Sequence, residues 1–256
     1  GTLTANSIET IAIESDDTAA VDNTTVDHTL TLSADSVTAL TLTGDAQLTL
    51  TNTSTTLTSV DASGMTDRLI WTTGNLAAAA TITGGSKADT IDATATTVTT
   101  VDLSMNGGAG IDIITGGSGD DTITDTSGTG AAGNSLTGGA GNDTITGGEG
   151  ADTIAGGTGN DSMVGAGGAD AITVSGNDTV DAGTGADTIT ISAAAATASI
   201  DGGTGDDTIA AGLFLATGQT IAGGAGANTL TVTAGATDGA ATTTTAGTLT
   251  DIQTVT

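Results

Sequence analysis

Ten aspartates stand at the same place in a repeated nine-residue phrase: Asp89, Asp112, Asp121, Asp143, Asp152, Asp161, Asp170, Asp178, Asp187 and Asp207. The phrase reads Gly-Gly-x-Gly-x-Asp-x-apolar-x and is complete in the copies that start at Gly107, Gly116, Gly138, Gly147, Gly156 and Gly202. Weaker copies start at Gly84, where Lys87 replaces the third glycine, and at Gly165 and Ala182. The copy at Gly223 carries Asn228 in place of Asp, and an eight-residue variant keeps Asp178 in phase. Carboxylates so spaced repel one another, and glycine weakens ordinary elements, so the pattern needs a partner that offsets both costs. Hard cations such as calcium take six to eight oxygen ligands, from carboxylates and backbone carbonyls alike. Glycine lets the chain turn sharply through positive φ and leaves its carbonyl unshielded. A Gly-Gly-x-Gly-x-Asp turn therefore offers both kinds of oxygen. The candidate metal-ligating set is the ten aspartates with the turn glycines Gly107, Gly116, Gly138, Gly147, Gly156, Gly165 and Gly202, serving multiple Ca2+ ions.

Something must hold these turns against one another. The residues after each Asp, such as Thr144-Ile145-Thr146, read as a short strand with one aliphatic side chain pointing inward. Turn, strand, turn, strand makes a coil of about 18 residues, and coils stack about 4.8 Å apart. A cation can then lie between turns two repeats apart, Gly138 with Gly156 for instance. The first 80 or so residues repeat differently, in HTLTLSA, ALTLTGD and QLTLTNT. Aliphatic and Thr alternate with the period of a strand, and Thr suits strands. Asp45, Asp61, Asn52 and Asn75 fall where these strands end and read as turn formers. The expected fold is all-β: a parallel β-solenoid, with a calcium-binding β-roll in the middle and β-helix-like coils on its flanks. Three segments are expected. Residues 1–83 form a Thr-rich solenoid, 84–231 the β-roll, interrupted near 125–137 and 191–201, and 232–256 begin a further β module. The interruptions should widen the coil and weaken or abolish calcium sites there. Gly1-Thr2-Leu3-Thr4 and Gly247-Thr248-Leu249-Thr250 match each other, as though a new module begins near the end of the chain.

Composition narrows the function. The chain has 256 residues, with 30 Asp plus Glu against 2 Lys plus Arg, a formal charge of -28. Such a balance excludes nucleic-acid binding, which needs a basic face. At 36% hydrophobic residues it is not a disordered polyanion. The charge reads instead as cation-binding capacity. Trp71 and Phe214 are the aromatic residues, which suits a thin core of small aliphatics. Zero Cys excludes disulfides and thiolate metal sites. No apolar run is long enough for a membrane span. The chain starts at Gly1 with no signal peptide, as expected of a mature or excised piece.

The nonapeptide resembles the repeat of the RTX family, which binds calcium in a parallel β-roll; the resemblance covers about Gly84–Thr231. Together with SIETIAI and LTLTGDAQLTLTNTSTTLTSVDASGM, and the poverty in Lys, Cys and aromatics, the chain resembles RTX-type surface-layer (S-layer) proteins of Gram-negative bacteria. That resemblance implies type I secretion, an extracellular place on the cell surface, and calcium-dependent self-assembly into a lattice. The family's C-terminal secretion signal is not recognisable here, in keeping with a fragment. The partners expected are further copies of the chain and cell-surface polysaccharide.

Catalysis has little to stand on. His28 is the single His, in VDHTLTL, and reads as a solvated strand residue. There is no His-Glu-x-x-His motif and no nucleophile elbow, so the chain is expected not to be an enzyme. The expected function is a structural surface-layer protein, or a fragment of one, that folds and assembles on calcium. The alternatives are the calcium-binding module of a large RTX adhesin or fibrous surface protein, or the calcium-folding tail of a secreted enzyme.

Overall fold

The computed structural model describes every residue except 5–6, 17–26, 35, 126–132, 193–196, 212–217, 233–247, 253 and 256. Among the described residues every regular element is a strand, and none forms a helix long and apolar enough to cross a membrane. Phe214, most of the expected final module and parts of both expected interruptions lie outside the described residues. The chain divides into two units, Gly1–Ser127 with Gly138–Ala140, and Gly128–Thr137 with Gly141–Thr256.

The first unit holds β1 (Thr2–Thr4), β2 (Thr10–Glu14), β3 (His28–Ser33), β4 (Ala39–Gly44), β5 (Leu48–Asn52), β6 (Ser59–Met65), β7 (Leu69–Thr72), β8 (Ala80–Thr83), β9 (Thr90–Asp92), β10 (Leu103–Asn106), β11 (Ile113–Thr115) and β12 (Thr122–Thr124). Its odd-numbered strands form one parallel sheet in sequence order and its even-numbered strands another. The alternation of Leu with Thr explains this. The inward aliphatics stack over the like residue of the next coil, in the ladders Leu30–Leu50–Trp71–Ile91–Ile114 and Leu40–Val60–Ile82–Met105–Ile123, all of them buried but the half-buried Leu30. Each such burial stabilises by about 1.5–3 kcal/mol. Trp71, fully buried, is the one bulky member. Most of the coils are wider than two nonapeptides would make them, for Ala39 pairs with Ser59 and Thr90 with Ile113, and the nonapeptide width is reached where Ser104 pairs with Thr122.

β13 (Ser135–Ala140) gives residues to both units. The second unit continues with β14 (Thr144–Glu149), β15 (Thr153–Thr158), β16 (Ser162–Gly167), β17 (Ala171–Val174), β18 (Thr179–Asp181), β19 (Thr188–Ile191), β20 (Ser199–Asp201), β21 (Thr208–Ala211), β22 (Thr220–Ala222), β23 (Thr229–Val232), β24 (Thr248–Thr250) and β25 (Thr254–Val255). Here too odd-numbered and even-numbered strands form separate parallel sheets. The eighth residue of each repeat is the core: Ile145–Met163–Val180–Ile200–Ile221 on one sheet and Ile154–Ile172–Ile189–Ile209–Leu230 on the other. All ten are at most 2% exposed. Thr144 pairs with Ser162 and Thr153 with Ala171, each two repeats further along, as the nonapeptide dictates. After β18 the coil widens: Thr179 pairs with Ser199, and Ser199 in turn with Thr220. Each unit is thus a parallel β-solenoid.

Local differences from the sequence reading are small. β13 to β16 are six residues long and run into the glycines, because Gly148 keeps register with Ala166. His28 lies on β3 as expected, yet it is half-buried, with Nδ1 2.7 Å from Ser15 Oγ, so it is not simply solvated. Two of the expected turn formers are hydrogen-bonded at turns: Asn52 Oδ1 accepts from the Ser54 amide at 2.9 Å, and Asn75 Oδ1 from the Thr97 amide at 3.1 Å. Asp61 lies inside β6 instead of at a strand end, and there the Ser63 hydroxyl and amide donate to it and hold its carboxyl below the usual range.

Candidate metal centre

Turns that lead into odd-numbered strands stack along one side of a solenoid; those that lead into even-numbered strands stack along the other. In the second unit the first side carries turns 147–152, 165–170, 182–187, 202–207 and 223–228. Backbone bonds join them in series: Gly150 N–H to Gly167 O (2.7 Å), Gly168 to Thr184 (2.8 Å), Gly185 to Thr204 (2.8 Å) and Gly205 to Ala225 (2.7 Å).

The sixth residue of each turn adds a side-chain ladder. Asp170 Oδ1 accepts the Asp152 amide at 2.8 Å, Asp187 Oδ1 that of Asp170 at 2.8 Å, and Asp207 Oδ1 that of Asp187 at 2.9 Å. On the other side Asp161 accepts from Asp143 at 2.8 Å and Asp178 from Asp161 at 2.9 Å. In the first unit Asp112 accepts from Asp89 at 2.6 Å. One oxygen of each acceptor is thereby fixed by a neighbouring coil. All ten aspartates are at most 2% exposed. Burial pushes the carboxyls of Asp170 and Asp187 up to about 6, opposed by these amides, and raises Asp89, Asp121 and Asp207 in the same direction.

The second oxygen separates two kinds of turn. The Oδ2 atoms of Asp170, Asp187 and Asp207 are buried and accept no hydrogen bond. An ionised carboxylate left so is costly unless it meets a positive group. The Asp207 Oδ2 atom and the Gly223 carbonyl oxygen converge on Gly202: a methyl group there would stand 2.7 Å from each. Asp170 Oδ2 and the Ala182 carbonyl converge on Gly165 in the same way. Two acceptors aimed at one point, with a glycine leaving the space open, fit a hard cation. The backbone takes positive φ at the second and fourth residues of these turns, as at Gly183 (97°) and Gly185 (144°) or Gly203 (83°) and Gly205 (136°). Turns 107–112, 138–143, 147–152 and 156–161 share that signature, and Ala166 (75°) adopts it without being glycine.

The turns at 84–89 and 116–121 do not. There the second glycine points its amide at the aspartate: Gly85 N–H to Asp89 Oδ2 at 2.5 Å, Gly117 N–H to Asp121 Oδ2 at 2.8 Å. The Leu69 and Leu103 amides hold the other oxygens at 2.7 and 2.8 Å. Asp178 is held likewise, its Oδ2 accepting from Ser175 (3.0 Å) and Gly176 (3.1 Å). These three carboxylates have both oxygens engaged by amides. The turns at 84–89 and 116–121 are the first repeat turns on their sides, and each stacks on a turn of another kind, near Met65 and Thr96.

Asp125 stands outside the nonapeptide consensus. It is fully buried beside Asp112, and both carboxylates border the space at Gly107. Burial together with this neighbour pushes the Asp112 carboxyl up to about 7. Two carboxylates so close share a proton or a cation. The signal was present: Asp125 stands where Gly116, Gly147 and Gly156 follow equivalent strands. Among the described residues no three His, Asp or Glu side chains form a metal-binding group, so each slot draws on one or two carboxylates and otherwise on carbonyls, a donor set that suits calcium. Calcium bound there would supply two positive charges to these acceptors.

The model of the RTX calcium-binding nonapeptide repeat (4 copies) matches residues 104–134, 128–163, 137–172, 172–190, 199–213 and 218–236. These repeats bind calcium, and the buried aspartates in stacked turns fit multiple ions. No curated protein and no solved structure matches the chain.

Proposed function

We propose, from the premise that this chain carries calcium-binding RTX repeats, that it is a structural module of an extracellular surface layer, non-enzymatic, which folds on calcium and assembles into a lattice with further copies of itself. The observation that carries this reading is the set of buried aspartates in stacked turns: the Oδ2 atoms of Asp170, Asp187 and Asp207 are buried and accept no hydrogen bond, which ties folding to a bound cation. The charge of -28 supports regulation by the cation: it keeps copies apart until calcium neutralises some of it. The Thr-rich coils and the resemblance to RTX-type surface-layer proteins support the cell surface as its place.

Electron microscopy and light scattering on the purified chain test the reading. Calcium should give ordered sheets and a rise in scattering that a chelator reverses. A folded, calcium-loaded chain that stays monomeric at high concentration overturns it, and receptor or sugar binding by that monomer would indicate an adhesin module.

A further inference from the structure

The column of turns at 147–152, 165–170, 182–187 and 202–207 has an asparagine at each end. Asn134 occupies the sixth position one coil before Asp152, and its amide N–H donates to Asp152 Oδ1 at 2.5 Å. Asn228 occupies it one coil after Asp207, and its Oδ1 accepts the Asp207 amide at 2.9 Å. Both are thus rungs of the same ladder, buried to 3% and 0% exposure.

Their side chains differ from the aspartates at one atom. In the aspartate turns the outer carboxylate oxygen faces the first carbonyl of the next turn on that side: Asp170 Oδ2 with Ala182 O, Asp207 Oδ2 with Gly223 O. Two acceptors cannot satisfy each other. At the ends the outer atom is a nitrogen. Asn134 Nδ2 donates to Gly147 O at 3.3 Å, the first carbonyl of the next turn. Asn228 Nδ2 donates to Asp251 O, on the next turn, at 3.2 Å and to Gly224 O of its own turn at 3.2 Å. An amide carries its own positive hydrogens and brings no charge to bury.

We propose that Asn134 and Asn228 terminate the calcium-binding column, their side-chain amides closing the slot that an aspartate would leave for a cation, so that these two residues set how many ions this side of the solenoid holds. The inference rests on calcium binding by the repeats and is independent of lattice assembly. Asn228 is then no degenerate ligand but a stop, which lets the solenoid continue past Asp207 without calcium.

The test counts ions on the full chain by native mass spectrometry with calcium alone as probe. Asn228→Asp should bind one ion more than the parent and, in chelator, lose β signal in circular dichroism relative to it. Asn228→Ala should leave the count unchanged. Asp207→Asn should bind one ion fewer while folding in calcium. An Asn228→Asp chain that folds in calcium with the parental count overturns the proposal. If that variant does not fold in saturating calcium, Asn134→Asp makes the same measurement at the other end, and failure of both to fold also overturns it.

Discussion

Burial lifts the Asp170 and Asp187 carboxyls to about 6, from an ordinary 3.8. The folded chain therefore keeps protons that the unfolded chain releases between pH 4 and pH 6. Stability in the absence of calcium falls as pH rises through that window and is restored below it, the reverse of a salt-bridged carboxylate. In chelator the β signal should be stronger at pH 4.5 than at pH 7.5, and calcium should make the two alike; a weaker signal at pH 4.5 would contradict the assignment. Residue types alone announced which side chains do this. An Asp kept in phase through Asp112, Asp143 and Asp207 is hard to explain without a cation. What the letters hide is which oxygen is already engaged. Asp121 and Asp143 sit in identical consensus phrases, yet Gly117 turns its amide onto Asp121, because that turn stacks on the unlike turn around Thr96. The difference resides in the neighbouring coil, far off in sequence.

At the scale of the element, the strand half of the repeat is the simpler. Its single inward residue was legible at position eight, and removing one leaves a hole between two like neighbours. Ile172→Ala should cost about 3 kcal/mol in a denaturant melt with calcium, and the exposed Thr188→Ala less than about 0.5 kcal/mol. The glycine half is stricter than a flexible turn. Gly203 has φ +83°, and a methyl group there would collide with the Gly183 carbonyl of the preceding coil. Gly203→Ala should thus cost about 2–4 kcal/mol, left-handed strain and overpacking combined, and lower calcium affinity at turn 202–207. An effect under about 0.5 kcal/mol would mean the turn adapts freely. The flanking Leu-Thr alternation revealed the Thr-rich coils, but not the greater width that pairs Ala39 with Ser59, because loops between strands carry no period of their own.

For the molecule as a whole, the question is whether charge is screened or bound. The aspartates of the ladders are buried, so mobile salt cannot reach the oxygens that need a partner, although it screens exposed charges over about 10 Å at 0.1 M. Sodium chloride at half-molar strength in chelator should leave the β signal low, while millimolar calcium restores it; equal recovery by both would show that bulk repulsion alone held the chain open. The pairing of Thr144 with Ser162, two repeats further along, has one more consequence, and it is mechanical. Each coil in the second unit hangs on the next by bonds that run along the stacking direction, so a pull on its end loads one junction at a time. Detaching a two-repeat coil releases about 18 residues, or about 60 Å of chain at full extension. Optical-tweezer traces in calcium should therefore climb in steps of that size, with longer steps from the wider coils after β18, and should slide without steps in chelator. A single rupture of the whole unit would show that the coils share load sideways, as a shell does, rather than opening in succession like the teeth of a zip.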